Sequence, residues 1–206
     1  MSKPFETENA EAKGAYLDHI WACLNAGAGP GRSPFTLMQA ATVGLDGSPQ
    51  VRTVVLRKAN READAIWFHT DVRSPKVAEL RADPRISLLA YDPETNLQIR
   101  VQGSAMISDD ESDRRAMWTS SRPHTLTLYR SPCCPSTEIA RPSDAYPESE
   151  PELDTDAAAT KSGYAHFALV RVSIDRFDVL HIKSEGHQRC VLNQSDTGWQ
   201  AHWVSP

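Results

Sequence analysis

The chain has 206 residues, 40% of them hydrophobic and 24% charged, a size for one domain or one domain with extensions. Its 22 basic residues against 27 acidic ones leave a net charge of −5, which argues against the broad basic face of a nucleic-acid binder but leaves room for a local basic pocket. Apolar runs fall short of the ~20 residues that span a bilayer, and the polar start MSKPFETENAEAKG has no signal-peptide core, so a cytoplasmic protein with no membrane partner is expected.

Apolar positions at Ala12, Ala15, Tyr16, Ile20, Cys23 and Leu24 recur at helical spacing and predict an amphipathic helix over 7–26, closed by a Gly- and Pro-rich loop over 27–34. Residues 35–43 read as a strand, and Asp46-Gly47 as a hairpin turn. Residues 50–57 alternate, with Arg52, Val54 and Leu56 on one side; Arg57 falls on the opposite face unless a bulge or the strand end redirects it. After a turn at 60–64, residues 65–70 form a third strand. Ser74 is placed to cap a helix over 75–82, with Pro75 at its first position and Asp83-Pro84 as its stop. Strands follow over 85–91 and 97–107, then a helix over 108–119 opened by Ser108, then a short helix or turn over 121–131. Residues 133–161, rich in Pro, Ser, Asp, Glu and Ala, predict a mobile acidic insertion within a single domain spanning 1–206. Strands are expected over 167–174 and 177–182, and a final hairpin over 186–192 and 199–204. Six or more antiparallel strands with short turns predict a mainly β fold, a closed or nearly closed antiparallel barrel with flanking α-helices.

A phosphate needs donors that converge from several directions, and a helix N-terminus adds backbone N–H groups and a favourable dipole. Arg73-Ser74-Pro75-Lys76 stands where a strand gives way to a helix, and Arg52 lies inside a neighbouring strand. Isolated basic residues are usually solvated surface charges. Here they open a helix, where the dipole disfavours them, which weakens that bland reading. Arg52, Arg57, Thr70, Ser74 and Lys76 therefore read as groups around one phosphate, and Gln98 as an amide facing a heteroaromatic ring. Cys23, Cys133, Cys134 and Cys190 lack C-x-x-C spacing and read as structural thiols. His166, His181 and His187 have no carboxylate or Cys at ligand spacing, so no metal is expected. Trp199 and Trp203 read as packing residues.

Four segments occur in order: Arg52-Thr-Val-Val-Leu-Arg57, Phe68-His-Thr-Asp-Val-Arg-Ser-Pro-Lys76, Asp83-Pro-Arg85 and Gln98-Ile-Arg-Val-Gln-Gly103. Together they resemble the pyridoxamine 5′-phosphate oxidase-like family of FMN-binding split barrels. The resemblance implies that Arg52, Arg57, His69, Thr70, Ser74, Lys76 and Gln98 line an FMN site, with Arg52, Ser74 and Lys76 on the phosphate. Where the family often has Arg after the Ser, this chain has Pro75, and Arg73 is the candidate substitute; Arg57 stands for a commoner Lys. The family pattern also implies a homodimer with FMN at the subunit interface. Near the C-terminus, Glu185-Gly-His-Gln-Arg189 matches an R-L-H-D-R-like motif. His187 is the implied proton-exchanging catalytic residue and Arg189 an implied FMN contact, whereas Glu185 replaces a substrate-binding Arg. In the set that holds a substrate phosphate, Arg122 matches but Trp118 and Leu126 replace Tyr and Ser, and Leu180 replaces an FMN-contacting Trp. The expectation is an FMN-dependent oxidoreductase acting on a small molecule through an altered substrate site. A non-catalytic flavin carrier or sensor is the alternative.

Overall fold

The computed structural model describes residues 10–145 and 163–206. It opens on helix α1 (Ala10–Ala28), which buries Tyr16, Ile20, Trp21 and Leu24 at the spacing of one helical face. Positions 7–9 of the expected helix lie outside the described residues. Nine strands follow: β1 (Leu37–Val43), β2 (Pro49–Val55), β3 (Lys58–Asn60), β4 (Ala65–Asp71), β5 (Arg85–Asp92), β6 (Leu97–Ile107), β7 (Phe167–His181), β8 (Gln188–Asn193) and β9 (Gln200–Val204). Helix α2 (Pro75–Ala82) links β4 to β5, and α3 (Glu111–Ser120) and α4 (Pro123–Leu126) follow β6. Every pairing is antiparallel, in the order β2-β1-β5-β6-β7-β4-β3, with β8 added to β7 and β9 to β8. The sheet curls into the predicted split barrel around a core that includes Met38, Phe68, Leu88, Ile99, Val172 and Phe177. No helix of the described residues is long and apolar enough to cross a membrane.

Several expected boundaries change. Residues 167–182 were expected as two strands, but they form one, β7. β6 runs along one edge of β7, pairing from Leu97↔His181 to Ile107↔Val170. The other edge pairs first with β4, through Phe167 to Ser173, and then with β8, through Arg176 to His181. Between these segments the β6 register shifts, from Gln102↔Arg176 to Gly103↔Ile174, leaving Asp175 as an extra residue. The bulge bends the strand without ending it, which is why a turn-like interruption in the sequence hides a continuous ladder. Gly103 faces the bulge so closely that a Cβ there would lie 1.9 Å from the Ser173 carbonyl oxygen.

The strand expected over 50–57 breaks after Val55. Leu56 N–H donates to Thr36 O at 2.9 Å and Arg57 N–H to Trp67 O at 2.8 Å. The chain thus leaves the β1 edge and joins the β4 edge within two residues, and this redirects Arg57. Helix α3 is capped by Asp110, which accepts from Ser112 N and Asp113 N, in place of Ser108, whose N–H continues the ladder to Leu169 O. The start of the expected insertion, 133–145, folds back on the body through Ser131 Oγ to Ala145 O at 2.9 Å. Residues 146–161 lie outside the described residues.

Gly103→Ala should destabilise the fold by about 3 kcal/mol, the upper end of overpacking costs, because the obstructing atom is backbone and cannot swing aside. Chemical denaturation of the variant checks this; wild-type stability would mean that the bulge opens freely.

Candidate functional site

Helix α2 closes one end of the barrel, burying Val77, Glu79 and Leu80. Its N-terminus has Ser74 at the cap position, Pro75 at the first position and no acidic residue in its first turn, an arrangement whose dipole favours an anion. The Ser74 side chain makes no cap hydrogen bond; it is buried, with its hydroxyl 3.5 Å from that of Thr70. Lys76 Nζ donates to Thr70 Oγ1 at 2.9 Å. Burial, and then the charge of Arg52, hold the Lys76 ammonium below its ordinary pKa, with Asp71 and Glu79 pulling the other way. Thr70, Ser74 and Lys76 therefore meet as the sequence predicts.

The arginines of this end are each engaged within the chain. Arg52 Nη2 donates to the buried Glu79 carboxylate at 2.6 Å, and Nη1 donates to the Thr42 hydroxyl, which in turn donates to Glu79 at 2.6 Å. Arg73 turns to Asp71, with Nη2 at 2.6 Å from Oδ2 and Nε at 3.0 Å from Oδ1, and also reaches Ser131 O at 3.1 Å. Beside them lies a cavity of about 350 Å³ walled by His69, Thr70, Lys76, Tyr129, Cys133 and Cys134.

His69 projects from the other face of β4, where its Nδ1 lies 2.5 Å from the Tyr129 hydroxyl. Burial, then the nearby Arg57 charge, bring its pKa down to about 4, so the ring is neutral at pH 7. Burial likewise pushes the Tyr129 phenol well above its ordinary value. Tyr129 packs in an aromatic cluster with Trp118 and Phe167, and Leu126 lies against that cluster. Arg57 is half-buried, and the charge of Arg122, exposed at the start of α4, bears on it. Two polar atoms here, Arg57 Nε and His69 Nε2, are buried with no hydrogen-bond partner among the described residues.

Gln98 and Arg189 stand elsewhere. Gln98 pairs with Leu180 and Leu180 with Arg189, so three separate segments meet in one row across β6, β7 and β8. Directly paired residues share a face, and this face is opposite the one that sends Ile99, Val179 and Cys190 into the core. His187, exposed just before β8, accepts from Lys183 N–H at 3.2 Å, and Glu185 is exposed in the same loop. Asp71 pairs with Phe167, whereas Gln98 pairs with Leu180, thirteen residues further along β7. At ~3.3 Å per residue the two clusters are roughly 40 Å apart along the strand. Tyr129, Glu79, Thr42 and Asp178, a buried acid bonded to Arg189, are site neighbours that the sequence reading missed. No local spacing marks them, because their partners lie between 10 and 60 residues away or across the sheet.

Comparison with known proteins places the fold in a family. The family model described as pyridoxamine 5′-phosphate oxidase, FMN-binding domain matches residues 21–109. The pyridoxine/pyridoxamine 5′-phosphate oxidase of Myxococcus xanthus (strain DK1622) is 30% identical over 179 residues, covering 82% of this chain and 81% of that protein. Pyridoxine/pyridoxamine 5′-phosphate oxidase 2 of Arabidopsis thaliana is 26% identical over 181 residues, covering 82% and 86%. A pyridoxamine 5′-phosphate oxidase-related, FMN-binding protein from Nostoc punctiforme superposes with a TM-score of 0.69 over 100% of both chains, at 23% identity. PhzG from Burkholderia lata, solved with tetrahydrophenazine-1-carboxylic acid, superposes with a TM-score of 0.71 over 100% and 98%, at 18% identity. The chain is an FMN-binding split-barrel flavoprotein by fold and domain, and it belongs to the pyridoxamine 5′-phosphate oxidase family.

The residues present fit FMN. Lys76 is held by a hydroxyl and pushed by Arg52, a pairing that an added phosphate would relieve. The unpartnered atoms belong to His69, on β4 next to Thr70, and to Arg57, in the link between β2 and β3, as expected where a ligand supplies the missing partners.

Neutral His69 also sets a pH response. Its folded pKa near 4 lies below the ordinary 6.5, so the unfolded chain binds the extra proton first as pH falls. Stability should therefore drop between pH 6.5 and 4, and His69→Gln should flatten that drop in urea titrations at stepped pH. An unchanged profile would show that the ring is not held neutral.

Proposed function

We propose that the chain is an FMN-dependent oxidoreductase that works as a homodimer on a small molecule other than pyridoxamine 5′-phosphate. The observation that carries the reading is the convergence of Thr70, Ser74 and Lys76 on the N-terminus of α2, beside the unpartnered atoms of Arg57 and His69. In this reading Ser74, Thr70 and Lys76 hold the phosphate, with Arg52 oriented beside them by Glu79 and Arg73 fixing the turn through Asp71. Gln98 and Arg189 face the ring from a second copy of the chain in this reading, since they stand apart from Thr70, Ser74 and Lys76, which lie by the other end of β7. Bound FMN supplies the two-electron chemistry that side chains lack. His187, exposed at the rim near Arg189, exchanges the proton, and Arg122 with Arg57 meets an anionic group of the substrate.

The altered substrate range rests on three positions. Trp118 and Leu126 stand where the family pattern has hydroxyls, and both are taken up by the aromatic cluster. Glu185 adds a negative charge where the pattern has an arginine, and like charges repel a substrate phosphate. The same three replacements favour, as a second reading, a flavin-binding protein without turnover.

FMN titrated into the purified protein should bind saturably with twin visible bands, and sedimentation should give a dimer. Lys76→Ala should weaken that binding by roughly 10- to 100-fold, the scale of a charge-assisted contact of about 1.5–3 kcal/mol. Undiminished affinity would remove Lys76 from the phosphate site. Brisk oxidation of pyridoxamine 5′-phosphate would sink the altered-substrate reading. Reduction of the bound flavin by none of a panel of amines, alcohols and nicotinamides would favour the second.

A further inference from the structure

Asp178 is nearly inaccessible at 3% exposure, yet it carries a carboxylate on the outer face of the barrel sheet. Arg189 grips it with two parallel hydrogen bonds, Nε to Oδ1 at 3.0 Å and Nη2 to Oδ2 at 2.8 Å. Arg100 Nη2 donates to the same Oδ2 from the other side. Burial pushes against ionisation of Asp178, but the two arginines prevail and hold its pKa below the ordinary value. Three strands are thus tied through one carboxylate: Arg100 on β6, Asp178 on β7 and Arg189 on β8.

Strand cohesion alone does not call for this device. A buried ion pair is commonly matched or bettered by apolar residues of similar volume, and the core face of the same strands is built that way, with Val179, Ile99 and Cys190. What an apolar residue cannot do is fix a guanidinium in one plane and offset its charge. The row beside the ion pair is the one that carries Gln98, Leu180 and Arg189 itself.

We infer that Asp178 is a positioning residue for Arg189: it orients the guanidinium toward the flavin ring and offsets its charge, and so lowers this face's preference for the reduced, more negative ring. The inference rests on the reading that Arg189 faces FMN. A lone cation beside the ring stabilises added negative charge, and a carboxylate bonded to that cation diminishes the effect.

The test is the midpoint potential of the FMN-loaded protein, measured against reference dyes for wild type, Asp178→Asn, Arg189→Gln and the double variant. A purely cohesive role for Asp178 leaves this quantity still. Asp178→Asn should raise the potential, with reduced FMN gaining about tenfold in affinity relative to oxidised FMN, the scale of one charge-assisted bond. Arg189→Gln should lower it, and Asp178→Asn should raise it less on the Arg189→Gln background than on wild type, since only Arg100 is then left unopposed. If Asp178→Asn does not fold, Asp178→Asn with Arg100→Gln keeps the net charge, leaves Arg189 unopposed and should raise the potential likewise. A wild-type potential in Asp178→Asn alongside a shift in Arg189→Gln overturns the role of Asp178 while leaving Arg189 at the flavin. No shift in either variant overturns both, since Arg189 then does not face the ring.

Discussion

The architecture depends on one strand edge that serves two partners. β7 gives its first half to β4 and its second half to β8, and the changeover falls at the bulge around Asp175. The extra residue bends the strand and sharpens its local twist. With it, the sheet forks into two walls. The bulge is possible because position 103 on the facing strand has no side chain, which lets the two backbones approach. The same fork carries the two functional clusters to opposite ends of one strand.

At the α2 end, charge is arranged sparingly. Arg52 is matched by Glu79 and Arg73 by Asp71, while Lys76 rests on a hydroxyl. The acids hold the arginines in place in the absence of a ligand and limit the repulsion that three clustered cations would otherwise build up. An incoming phosphate therefore meets oriented donors, and little side-chain freedom remains to be lost on binding. The Asp178 cluster at the far end follows the same pattern, with two arginines held by one buried acid.

Much of the fold was legible in the sequence. The helix over α1, the Pro75 start of α2 and most strands follow from spacing and turn chemistry. The errors have definite causes. Residues 175–176 look like a turn because a bulge borrows the same polar residues. The break after Val55 is invisible because Leu56 and Arg57 continue the alternation while their amides bond to Thr36, just before β1, and to Trp67 on β4. Asp110, rather than Ser108, caps α3 because Ser108 is still paired with Leu169.

For the site, the sequence by itself determined the inventory of donors and the local turn that unites Thr70, Ser74 and Lys76, since residues four to six apart around a helix start must be neighbours. The partners of those donors were decided only by the tertiary structure. Glu79 reaches Arg52, Tyr129 reaches His69 and Asp178 reaches Arg189 across strands whose register no short window encodes. That register is set by the whole ladder and the bulge at Asp175, so the charge balance of each cluster emerges only when the barrel closes.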